Sequence, residues 1–281
     1  MNVDLILAGI QQGLLLAFIA LGVMIPFRIL QMPDLTAEGA YPLGSAVCAM
    51  LLILGLHPSI ALFCGVISGG LIGYCAGFLH LRLKINLLLA GIILSTMTYS
   101  VNLRIIGKPN ISLFNCLSFF SANRIEGNIL ILLATVALII VFLYLFLNTE
   151  IGLKLRTVGL NRDFALRQGI SISKYTLLGL FLANALSGLG GGLMGQHQSY
   201  MDVGMGQGIV IHALAALMIG ETLLGHETLK KQLIAPLLGA LVYQQLQGLA
   251  LSLGLAPSDL KFFTAFVVIM VIAMKRRPQY A

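Results

Sequence analysis

Apolar residues fill nine long runs of this chain, near 4–25, 37–54, 59–80, 85–106, 127–148, 174–197, 207–224, 232–255 and 261–274, separated by short polar intervals. Runs of about 18 or more apolar residues are what a hydrocarbon layer about 30 Å thick requires of a spanning helix. Backbone polar groups in lipid must be satisfied within the segment, so each run is read as helical. The fold expected is an all-α integral membrane bundle of about nine spanning segments, within a range of 8–10.

The first connection, FRILQMPDLTAEGAYPLG from Phe27, departs from an ordinary polar loop. Pro33 breaks the helix, Asp34 or Thr36 can cap the next one, and Glu38 falls in its first turn. It reads either as a short cytoplasmic turn or as a helix interrupted near Pro33–Gly39 beside a transport pathway, since broken helices persist in membranes only against protein or a water-filled cavity.

Two spans carry close-packing signals. Gly65, Gly69, Gly73 and Gly77 recur every fourth residue in the third run. Gly188, Gly191, Gly192 and Gly195 crowd the sixth, with Ser187 beside them. Small residues at this spacing let helix backbones approach. The fourth run is different, because Ser95, Thr96, Thr98, Tyr99, Ser100 and Asn102 gather in its outer half. Gly91, Ser95, Thr98 and Asn102 share a helical face. Hydroxyls in helices also bond back to their own backbone, but so many polar groups exceed what packing needs. Ser95, Thr98, Tyr99 and Asn102, with Asp34, Thr36 and Glu38, are the candidate pathway lining.

The longest polar interval, Thr149–Ser173, contains Glu150, Lys154, Arg156, Arg162, Asp163 and Arg167. Asn161 is a good N-cap for a short helix running to about Gln168, and Gly169 can end it in a left-handed cap. Asp163 precedes Arg167 by four residues, the favourable order for an ion pair. About two turns of helix do not persist alone in water, so this element is expected to pack on a surface.

Composition narrows the class. Of 281 residues, 58% are hydrophobic and only 10% are charged, against roughly 25% charge in a soluble domain. The net charge of +7 comes from residues flanking apolar runs, so it indicates topology and not nucleic acid. With the N-terminus outside, thirteen of the seventeen basic residues fall on the inner side, and the positive-inside rule selects that orientation with a cytoplasmic C-terminus. No basic stretch precedes the first run, where Asp4 stands instead, so that run is expected to be a spanning helix. Cys48, Cys64, Cys75 and Cys116 lack metal-binding or redox spacing.

No phosphate-cradling GxxxxGK[ST] loop occurs, nor HExxH or GxSxG. Uphill transport would therefore need an ion gradient or a separate ATPase. Paired acids deep in the spans would favour an ion-coupled carrier; the acids here lie near span ends, which favours an external motor on the polar interval. A membrane enzyme or scaffold is disfavoured, because no catalytic constellation is present.

The stretch RTVGLNRDFALRQGIS resembles the coupling loop of permease subunits of bacterial ABC importers, in the branch that includes branched-chain amino acid and ribose permeases. FRILQMPDLTAEGAYPLGSAV, YSVNLRIIGKPNIS, ALMIGETLLG and PSDLKFFTA look like a narrower group, the tryptophan/tyrosine-type transport permeases, and the resemblance covers essentially the full length. It implies one transmembrane permease domain over residues 1–281, with a cytoplasmic coupling loop at about 149–173. It implies two permease copies in the bacterial inner membrane, an ABC ATPase on the cytoplasmic side and an extracytoplasmic binding protein. Arg156, Asn161, Asp163, Phe164, Arg167 and Gly169 would serve ATPase coupling. No cofactor would bind the chain directly, ATP and Mg entering through the ATPase. The solute would be small and organic, an amino acid or a similar compound, and it would cross by alternating access.

Overall fold

The computed structural model describes residues 3–120 and 125–254, together with 259, 262, 265, 266, 269 and 270. Its helices are α1 (Val3–Met24), α2 (Ala37–Ile53), α3 (Pro58–Leu83), α4 (Leu87–Ile106), α5 (Ile125–Asn148), α6 (Glu150–Leu160), α7 (Arg162–Arg167), α8 (Ile172–Gln198), α9 (Ile209–Leu224) and α10 (Leu229–Ser252). Among the described residues, six helical stretches are long and apolar enough to cross a membrane, and α2 and α9 are shorter apolar helices. The ninth expected segment, near 261–274, falls mostly outside the described residues, and Arg124 and the basic C-terminal positions 275–277 lie outside them. The architecture is a polytopic membrane bundle of α-helices.

The strands β1 (Asn110–Ser112) and β2 (Tyr200–Asp202) were not expected, and they pair antiparallel with Ile111 opposite Met201. Gly107, at φ +78°, ends α4. Pro109, which follows, offers its carbonyl to the Val203 N–H at 3.0 Å. Chain leaving the helix here must find partners for its backbone, and the facing loop supplies them. Leu113, Met201 and Val203 close a small apolar cluster over the ends of α2 and α4.

The helix α8 is the central post. Its residues from Ala183 to Gly192 are almost all buried, with α3 on one side and α1 and α2 on the others. Glycines set these separations. A methyl on Gly73 would come within 2.2 Å of the Leu180 carbonyl oxygen, and one on Gly69 within 2.6 Å of the Asn184 carbonyl oxygen. Gly65 lies against the Gly44 carbonyl and Gly188 against that of Gly65. Gly191 leaves only 1.9 Å for a methyl beside the Tyr41 carbonyl oxygen. Gly77 and Gly192 face leucine side chains and Gly195 faces the Ser45 hydroxyl, so contact there is with side chains.

The first helix ends in a feature the hydrophobic pattern did not reveal. Residues Ile25–Ile29 form a π-helical turn, with Pro26 in its first positions. The Leu30 N–H reaches back to the Ile25 carbonyl at 2.9 Å and the Met32 N–H to Pro26 at 2.8 Å. Gln31, at φ +53°, then turns the chain, and α2 does not begin until Ala37.

Thr149–Ser173 contains two helices where one was expected. Thr149 caps α6 by accepting from the Gly152 N–H at 3.3 Å. Gly152, Leu155 and Val158 form its buried stripe, a three-residue spacing that was present in the sequence. Gly159 sits so close to the π-helical turn that a methyl would overlap the Ile29 carbonyl oxygen. Thus α6 is seated on the end of α1, and α7 follows it outward.

Candidate functional site: the helix break and its cavity

The connection 30–36 comes to the surface at Gln31 and Pro33, which are exposed, and turns into the bundle. Asp34 and Thr36 are buried, and Asp34 meets Asn184, which lies near the middle of α8. The Asp34 carboxylate accepts from the Thr36 N–H at 2.9 Å, from the Thr36 hydroxyl and from Asn184 Nδ2 at 3.0 Å. Asn184 Nδ2 also donates to the Leu180 carbonyl at 3.0 Å. A buried carboxylate is tolerated when such donors surround it. The helices are thus interrupted between Ile29 and Ala37, with Asp34 and Thr36 more buried than a solvated turn would leave them.

Gly91 of α4 allows the broken segment to lie flat: a methyl there would come within 2.9 Å of the Thr36 nitrogen. On one side of this contact is a cavity of about 270 Å³. Glu38 and Pro42 of α2, Ser95, Thr96 and Tyr99 of α4, and Val203, Gly206 and Gln207 of the loop after β2 line it. On the other side is an open cleft bounded by Gln31 and Pro33 and by His80, Lys84 and Asn86 of the α3–α4 turn.

Three of the seven candidate lining residues therefore reach the cavity: Glu38, Ser95 and Tyr99. Asp34 and Thr36 brace the break behind it. Thr98 is buried against α2, where a methyl on Gly39 would meet its hydroxyl, and that hydroxyl donates to the Leu94 carbonyl. Asn102 is fully buried, and neither end of its amide has a hydrogen-bond partner among the described residues. The shared face of Gly91, Ser95, Thr98 and Asn102 packs toward the protein, and the cavity opens at its flank. Thr96 and Gln207 lie in the cavity wall but were not among the expected lining residues. The run VGMGQG carried a signal for the second, because three glycines in six residues suit close backbone packing. Gly206 fits so tightly that a methyl would overlap the Glu38 carbonyl oxygen.

Glu38 is half-buried, and its Oε1 accepts from the Gly208 N–H at 3.2 Å. It lies in the first turn of α2, where the helix dipole stabilises a carboxylate. Gly208, at φ +79°, starts α9, so the same carboxylate ties the start of α2 to the start of α9.

A second site lies at the end of the bundle that carries α6 and α7. Asn161 accepts from the Phe164 N–H at 2.9 Å and caps α7. At the other end the Ile170 N–H bonds to Ala165 and the Gly169 N–H to Leu166, with Gly169 at φ +71°. This is the Schellman closure that a left-handed glycine permits. Ala165 is buried while Arg162, Asp163, Phe164, Leu166 and Arg167 are exposed. The expected Asp163–Arg167 ion pair is absent among the described residues. In this neighbourhood Lys154 pairs instead with Glu150, at 2.5 Å, which holds the Glu150 carboxyl below its usual range. Arg156 is on α6 and only partly exposed.

Comparison with known proteins separates transport from other readings. The family described as branched-chain amino acid transport system, permease component, matches residues 5–274. The chain belongs to that family. It is a membrane permease component of an ABC-type importer and acts as a transport subunit for a small solute. Over 268 residues, 95% of the permease and 90% of the relative, it is 38% identical to the tyrosine transport system permease protein of Clostridioides difficile. It is 29% identical to the probable branched-chain amino acid transport permease LivH of Methanocaldococcus jannaschii, covering 73% of this chain and 70% of that one. It is 27% identical to the nucleoside ABC transporter permease NupC of Lactococcus lactis, over 66% and 65% of the two chains. Amino acid and nucleoside transporters thus both occur among the permease's relatives.

Proposed function

We propose that this permease carries an amino acid or a similar small organic solute across the bacterial inner membrane by alternating access, through the cavity beside the helix break. The observation that carries the reading is the cavity itself. It is of amino-acid size, polar on one wall, and separated from an open cleft on the far side by the Leu35–Thr36 backbone packed on Gly91. Irregular backbone at such depth is stable where it is held by protein or lines a cavity. A rearrangement of this thin partition would exchange access from one side to the other.

The exposed end of α7, with Phe164 and Leu166 bare beside Arg162 and Arg167, suits the groove of an ABC ATPase, through which ATP and Mg act. Asn161, Asp163 and Gly169 shape that helix, and Arg156 stands behind it on α6. The π-helical turn with Arg28, the α6–α7 segment and the start of α10 with Lys230 meet at one end of the bundle. That clustering supports an orientation with this end in the cytoplasm and the N-terminus outside. Thr96, Tyr99 and Ser100 are exposed on the otherwise apolar face of α4. Polar groups facing lipid are costly, so a second permease copy covering this face completes the pathway. A binding protein delivers the solute from outside.

The test is reconstitution of the permease with its ATPase and binding protein in liposomes. The expected result is uptake of a labelled amino acid that requires ATP and stops when Arg167→Glu and Gly169→Pro are combined. Uptake driven by an ion gradient without the ATPase would overturn the reading.

A further inference from the structure

We propose that the Glu38 carboxylate is the counter-ion for a protonated amine on the transported solute, so that the cavity selects amines over neutral and anionic compounds. The inference rests on the reading of this cavity as the pathway.

Among the described residues that line the cavity, Glu38 is the only charged one, and Lys, Arg and His are absent. One carboxylate oxygen accepts from the Gly208 N–H, and the other has no hydrogen-bond partner among the described residues. A carboxylate in apolar surroundings without a compensating charge is costly. The α2 dipole offsets part of that cost, and the rest favours a cation arriving in the cavity. Tyr99, 45% exposed in the same wall, offers an aromatic ring to that cation. Beside it, the Gln207 amide can donate to acceptor groups of the solute and accept from its donors. The Ser95 and Thr96 hydroxyls already donate to the carbonyls of Gly91 and Ile93, which leaves them acting chiefly as acceptors, again suited to N–H donors. An anion would meet one negative charge and few donors. A nucleoside, being uncharged, would leave Glu38 unpaired.

The experiment uses the assembled importer in proteoliposomes, with Thr96→Cys in the permease and Cys64, Cys75 and Cys116 changed to Ser. Labelling rates at position 96 are compared for a trimethylammonium-ethyl and a sulfonatoethyl methanethiosulfonate. The expected result is a cationic-to-anionic rate ratio that falls roughly tenfold or more when Glu38→Gln is added, the scale on which a charged cleft enriches its counter-ion. Glu38→Asp should preserve the ratio. A second measurement needs no change at Glu38: tyramine should slow labelling by a neutral thiol reagent, while 4-hydroxyphenylacetate at the same concentration should not. Equal ratios with and without Glu38→Gln, or equal protection by the two phenols, overturns amine selection. If ATP-driven turnover alters labelling at position 96 despite that result, the pathway reading stands and only the amine inference fails. If turnover leaves labelling unaltered, the pathway reading fails and the amine inference with it.

Discussion

Arg28 and Glu221, 193 residues apart, join the π-helical turn after α1 to the end of α9 through two parallel hydrogen bonds, Nε to Oε1 and Nη2 to Oε2. The Glu221 side chain is 1% exposed and that of Arg28 is 34%. Planar two-point pairing of this kind fixes orientation as well as charge. Gly159 of α6 rests on Ile29, the residue next to Arg28. Contacts through the π-helical turn thus connect α6 to α9.

Removing one partner should be far worse than removing both. Glu221→Ala leaves Arg28 without this carboxylate and should lower stability by about 3 kcal/mol, the low end for a buried pair because Arg28 retains partial solvent contact. Arg28→Met combined with Glu221→Leu should recover most of the thermal stability measured in detergent. Transport should stay impaired in that double variant, because the directional link is gone.

Asp34 has three donors, and Asn184 supplies the one that ties the break to α8. Asn184→Leu should cost about 2 kcal/mol, the scale of a hydrogen bond to a charged group. Asn184→Asp should be more damaging, since it sets two carboxylates together. Melting temperature and ATP-driven uptake check both, and wild-type values in either variant would sink the idea.

The glycine contacts differ in kind, so their substitutions should differ in outcome. Gly191→Ala drives a methyl into the Tyr41 carbonyl oxygen, and Gly73→Ala into that of Leu180. Backbone cannot step aside as a side chain can, and overpacking of this sort costs about 1–3 kcal/mol or more. Gly77→Ala meets only the flexible ends of Leu177 and Leu180, at 2.9 and 3.0 Å. It should give nearly normal yield and a normal size-exclusion profile where the other two do not.

Coupling can be separated from folding. Phe164 is 51% exposed and should contribute little to the isolated permease. Phe164→Ala should leave its melting temperature unchanged while lowering recovery of the ATPase in copurification. Asn161→Ala removes the cap of α7, at about 1 kcal/mol for that helix, and should weaken ATPase recovery as well. Unchanged recovery in both would remove α7 as the docking element.

Much of the site was legible in local signals. Pro33, Asp34 and Thr36 announced a break, although the first helix already ends in the π-helical turn before them and Thr36 starts α2 without a side-chain cap bond. Asn161 and Gly169 delimited α7, because a capping side chain and a left-handed glycine act within a few residues. The stripe Gly152, Leu155, Val158 of α6 was also present, but the charges between its members hid it inside a polar island. Asn184 gave no comparable sign, since a single amide says nothing about what it faces. Arg28 and Glu221 were visible only as charges near span ends.

The sequence by itself determined a membrane-embedded helical bundle, because its apolar runs are too long and its charges too few for water. It also determined the short helix α7, since the Asn161 cap and the left-handed Gly169 that delimit it depend on neighbours within a few residues. Tertiary structure decided which polar groups meet. It set Asp34 against Asn184, enclosed Thr98 and Asn102 inside the bundle, and left Glu38, Tyr99 and Gln207 around a shared space. Those outcomes depend on how closely the glycine-lined helices approach and how they are rotated, and helical periodicity alone specifies neither.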